Sequence, residues 1–138
     1  MNLYKLVNQD EYDVDSVASA YICAMETLLD VLNEDHNALK QALSKIDKRL
    51  STTYHEIEKS NFNGVQGYYF AKEIKEILQK RRVIKGEKAK LKSIIKSLSS
   101  GVKSANATHD KVFKKDKELR GSLNTLIGFS DVVEDIWK

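Results

Sequence analysis

The chain contains no proline and only one cysteine, Cys23. Proline punctuates loops and ends helices, so its absence favours long uninterrupted helices and few connections. A lone cysteine can form neither an internal disulfide nor a thiolate metal cage, and a reducing cytoplasm is the expected compartment. No apolar run approaches the roughly 20 residues that span a bilayer, so no membrane association is expected. The first residues carry Asp10, Glu11, Asp13 and Asp15 and lack the basic-then-apolar order of a signal peptide, so none is expected.

What is present suits one ordinary domain of 138 residues, with 41% hydrophobic and 31% charged residues. A chain of this length can bury a core without covalent staples. The net charge of +3 is unevenly placed. Residues 1–34 hold one Lys against seven acids, whereas residues 72–120 hold sixteen Lys or Arg against six acids. Such a distribution fits solvated helix faces. It also fits an anion-binding surface or acid-to-base contact between subunits.

Three segments carry apolar residues at alternating three- and four-residue spacing, the mark of an amphipathic helix. The first, from about Asp13 to Lys59, runs through Val14, Ala18, Tyr21, Met25, Leu28, Leu32, Asp35, Leu39, Ala42, Ile46, Leu50, Thr53 and Ile57. Asp13 and Asp15 stand where acids cap a helix start. The second, from about Tyr68 to Leu98, runs through Phe70, Ile74, Ile77, Arg81, Ile84, Lys88, Leu91, Ile95 and Leu98. The third, from about Thr108 to Trp137, runs through Val112, Asp116, Leu119, Leu123, Leu126, Ser130, Val133 and Trp137. Turn formers separate them at residues 60–67 and 99–106. The expected fold is all-α: an antiparallel bundle of three long helices in a single domain, or of four if the first breaks near Asn33–His36.

A turn near Gly101 would bring Lys88 level with Asp116 and Gly86 close to Gly121, a register-setting ion pair and a close backbone approach. The first segment is longer than the others. Unbroken, it would leave a stripe of Tyr21, Met25, Leu28 and Leu32 in need of cover, most simply from a second copy of the chain. These four residues are the expected interface of a homo-oligomer.

Catalytic patterns are missing. No His has a carboxylate three residues before it, so helix-bundle metal ligation is not expected. Cys23 lies in an apolar stretch, which suits a small hydrophobe better than a reactive thiol. Gly64-Val65-Gln66-Gly67 lacks the Lys-Ser/Thr ending of a phosphate loop. The expectation is a protein that is not an enzyme and needs no cofactor or metal.

The basic middle is the most informative stretch. Lys75, Arg82, Lys85, Lys92 and Lys96 share one helical row beside the seam, interrupted by Leu78 and Ala89. Arg81, Arg82, Lys85 and Lys88, with Tyr68 or Tyr69, are the candidate ligand-binding set, since cations and an aromatic ring can hold a small nucleotide. Nucleic acid is the weaker candidate ligand, because no DNA-reading motif is present and +3 is a small excess. The run Lys72-x-Ile74-x-x-Ile77-Leu78-x-x-Arg81-Arg82-x-Ile84-Lys85 resembles a pattern in small helical accessory proteins encoded by bacterial viruses. That resemblance implies a phage protein, some of which inhibit host defence by docking on a host protein or sequestering a nucleotide signal. The leading expectation is a self-associating helical protein that acts by binding a partner protein.

Overall fold

The computed structural model describes residues 16–137, and among them every regular element is helical. Helix α1 is Val17–Lys59 and helix α2 is Gly64–Ser122. A 3-10 turn, Phe129–Asp131, and a one-turn helix α3, Val133–Ile136, follow. The described residues form two compact units, the first from residues 16–30 and 97–137, the second from residues 31–96. In each, a stretch of α1 packs antiparallel to a stretch of α2.

In the second unit the connection is short because two side chains start α2 early. Asn63 Oδ1 accepts from the Gln66 N–H at 2.9 Å, and Gln66 Oε1 accepts from the Asn63 N–H at 3.3 Å. This reciprocal cap satisfies two amides that a helix start leaves open. Phe62, just before the cap, lies over Gly67, where a Cβ would stand 3.3 Å from its ring. It also meets Phe70 edge-on at a centroid distance of 5.6 Å.

Beyond the turn the seam reads Leu32, His36, Leu39, Leu43, Ile46, Leu50, Thr53 and Ile57 on α1. On α2 it reads Phe70, Ile74, Ile77, Arg81, Ile84, Lys88, Leu91 and Ile95, the row the spacing predicts. All of these are buried or half-buried, Ile77 completely. Polar groups cross the seam at three points. Arg81 Nε donates to Asp47 Oδ1 at 2.6 Å, Arg49 lies 3.7 Å from Glu73, and Thr53 Oγ1 donates to Glu73 at 3.4 Å. The expected seam position Asp35 is exposed, and its neighbour His36 turns inward instead.

The first unit departs most from expectation. Residues 99–106 are helical, so two long helices stand where the spacing predicts three, and α1 runs unbroken through Asn33–His36. Ser, Asn and Gly are weak helix formers but do not forbid a helix. One Gly costs about 1 kcal/mol against Ala. Packing outweighs that here. In this unit the buried and half-buried row of α2 is Leu98, Val102, Ala105 and His109, and Val102 is only 5% exposed. Burying one such side chain contributes roughly 1.5–3 kcal/mol. His109 Nε2 lies 3.0 Å from Ser19 Oγ, and Asn106 Nδ2 donates to Glu26 at 3.1 Å.

Two further expectations fall with the missing turn. Asp116 shares a helix with Lys88 and pairs with Arg120 at 2.9 Å. A Cβ added at Gly86 or Gly121 would meet nothing within 4 Å, so neither glycine serves a close approach. The end of α2 is set by Asn124, whose φ of 51° is left-handed. The Asn124 and Thr125 N–H groups return to the carbonyls of Gly121 and Arg120 at 3.3 and 2.9 Å, a Schellman closure with Asn in the glycine position. At the start of α1, Ser16 Oγ accepts from the Ser19 N–H at 3.4 Å. The expected caps Asp13 and Asp15, and seam residue Val14, lie outside the described residues.

Candidate functional site

Within the second unit the two flanks of α2 differ in charge. On one side of the seam, Glu73, Glu76, Lys80, Glu87 and Lys90 mix signs and neutralise each other. Lys80 meets Glu76 and Lys90 meets Glu87, each at 2.8 Å. The hydrogen bond from Lys80 holds the Glu76 carboxyl below its ordinary pKa, and the hydrogen bond to Glu87 raises that of Lys90.

The other flank carries no acid. Tyr68, Ala71, Lys75, Leu78, Arg82, Lys85, Ala89, Lys92 and Lys96 follow one another at strict three- and four-residue spacing, and every one is exposed. None of its five cations has a carboxylate three or four residues away in either direction. None forms an ion pair among the described residues. Like-charged neighbours accumulate instead: Arg82 with Lys85, Lys85 with Lys88, Lys88 with Lys92, Lys92 with Lys96. Each such pair destabilises a helix by roughly 0.2–0.5 kcal/mol, so together they cost on the order of 1–2 kcal/mol.

The six expected ligand residues are therefore spread over several rows. Arg82, Lys85 and Tyr68 lie on the cationic flank. Tyr69 lies on the mixed flank, its ring edge-on to Tyr68 at 5.6 Å, and lines a shallow hollow with Ser60, Asn61, Gln66, Phe70 and Glu73. Arg81 is tied to Asp47 across the seam. Lys88 faces a groove lined by Lys40, Leu43, Ser44, Asp47, Lys48 and Ser51. They do not converge on one enclosed pocket. A small apolar hollow of Ala71, Ile74 and Leu78, edged by Lys75 and Arg82, opens on the cationic flank.

The expected interface row divides between the units. In the first unit Tyr21 and Leu28 are about half exposed, at 53% and 52%, while Met25 is half-buried. Leu32, in the second unit, is half-buried in the seam. The expected seam of a third helix does not form: Val112, Leu119, Leu123 and Leu126 are exposed, Leu126 at 96%, as are Phe113 and Ile127, which the spacing left off the seam, and the helix stops at Ser122. Against these, the buried residues of that unit among the described residues are Ala20 and Val102.

Cys23 is half-buried and unbridged. Among the described residues no three His, Cys, Asp or Glu side chains come together as a metal site. No described helix is long and apolar enough to cross a membrane. Comparison with protein-family models, with curated proteins and with solved structures finds nothing that matches this chain.

Proposed function

We propose that this chain is a non-enzymatic interaction protein that self-associates through its first unit and acts by docking on a partner protein. One observation carries the reading: eight large apolar side chains of α1, α2 and the following segment stand exposed in a unit of whose described residues only Ala20 and Val102 are buried. The eight are Tyr21, Leu28, Val112, Phe113, Leu119, Leu123, Leu126 and Ile127.

Covering these side chains is the driving force for association. Covering a half-exposed side chain of this size contributes about 1 kcal/mol, so the sixteen from two copies supply on the order of 15–20 kcal/mol. Against this stand roughly 4–15 kcal/mol of lost translational and rotational freedom, with side-chain ordering in addition. The helices extend the same argument. A pair of helices with a single narrow seam gains most of its stability from tertiary packing, and the described residues of this unit bury few side chains.

Leu28→Glu places a charge on the exposed stripe without touching the seam. It is expected to lower the oligomer mass, read by native mass spectrometry, while the far-ultraviolet helix signal persists. An unchanged mass overturns the reading. A viral accessory protein that blocks a host protein by docking would belong to this class, and capture of one defined host protein by wild type but not by a monomeric variant would support that role.

A further inference from the structure

We infer that the acid-free flank of α2 is a docking ridge for the phosphate backbone of nucleic acid. The inference goes beyond self-association and rests on a different unit of the molecule.

The second unit holds fifteen Lys or Arg against eight Asp or Glu, a balance of +7. Its excess is concentrated rather than spread. Lys75, Arg82, Lys85, Lys92 and Lys96 form one straight exposed row, while the cations of the opposite flank, Lys80 and Lys90, are each tied to a glutamate. A helix that sets like charges side by side gains when a polyanion neutralises them.

The shape of the row selects among anions. From Lys75 to Lys96 the flank runs about 32 Å along the helix at 1.5 Å per residue. The cations point outward along a line and do not converge, so a small nucleotide could engage only a fraction of them. Among the described residues no helix carries a row of five acids to match it from a second copy of the chain. A phosphate backbone presents repeated charges over that length. Tyr68, exposed at the head of the row, offers a ring on which an unpaired base can stack.

Five neutralised phosphates set the size of the effect. Affinity for duplex DNA should fall about 500-fold between 50 and 200 mM salt, and for a single strand about 100-fold. The test is fluorescence anisotropy of the full chain with a labelled random-sequence 30-base-pair duplex and with the corresponding single strand. Two variants remove equal charge. Arg82→Ala with Lys92→Ala takes two cations from the ridge, and is expected to weaken binding tenfold or more and to lower the salt slope by about two. Lys80→Ala with Lys90→Ala takes two from the mixed flank, and is expected to change the slope little. Equal losses in both variants, binding that salt does not weaken, or no binding at 50 mM salt overturns the proposal. So does a fall in oligomer mass in the ridge variant, which would assign the ridge to contact between copies. Tighter binding to the single strand, lost in Tyr68→Ala, would assign the stacking role.

Discussion

Arg81 and Asp47 meet across the seam of the second unit, Nε to Oδ1 at 2.6 Å, with both side chains partly open to solvent. A guanidinium at a seam position is tolerable because its stem packs inward and its head finds a carboxylate at the rim. This contact takes Arg81 out of the free cationic row beside it. A double-mutant cycle with Arg81→Ala and Asp47→Ala, read by urea unfolding, should give a coupling of about 0.5–1 kcal/mol. Additive losses would show that the pair is geometric only.

Gly86 and Gly101 sit inside α2 with open space where a Cβ would go. Alanine at either position should stabilise the protein by about 1 kcal/mol, through helix propensity and a less disordered unfolded chain. Gly101 is the sharper case. A turn there would make alanine neutral or harmful, so a lower midpoint in Gly101→Ala would contradict the continuous helix. Gly67→Ala should not share the gain, because Phe62 occupies the space.

His36 buries its Nε2 atom in the second unit with no hydrogen-bond partner among the described residues. A buried polar atom left unpaired costs roughly 1–3 kcal/mol. His36→Leu should raise stability by about that amount and leave the helix content unchanged. A loss of stability would mean that the imidazole nitrogen is satisfied.

Glu76 and Lys80 give a pH test. The Lys80 hydrogen bond lowers the Glu76 pKa, so the stabilisation is present above the ordinary carboxylate value and is lost as pH falls through the lowered one. Lys90, raised by Glu87, behaves in the opposite sense: its contribution is present below the ordinary lysine value and is lost as pH rises through the raised one. Both pairs are exposed, so the effect on stability is slight. Carbon-detected NMR titration should show the Glu76 pKa moving upward in Lys80→Ala. A pKa that stays where it was would refute the assignment.

Much of the second unit was legible in the sequence. On α2 only one row from Phe70 to Ile95 is apolar enough to be buried, and that row is the seam. On α1 the row from Leu39 to Ile57 was equally clear. Between Val17 and Leu32 apolar residues surround most of the helix, so spacing could not choose among rows, and Tyr21 and Leu28 fell outside while Ala20 went in. The Ser, Gly and Asn at 99–106 have the composition of a turn, yet the stretch is helical. Burial of Val102 and the Ser19–His109 contact, ninety residues apart, decide that stretch. The real stop at Asn124 was visible only as an asparagine able to take the left-handed position. The cationic row was legible as a pattern. That none of its cations pairs with a carboxylate among the described residues became clear only with the structure.

The most direct test of self-association is sedimentation velocity of the wild-type protein across a concentration series, with Leu28→Glu in parallel. The wild-type protein is expected to sediment as at least two chains at micromolar concentration, and the variant to shift toward one chain with its helicity retained. A wild-type protein that sediments as a folded single chain at every concentration would contradict self-association.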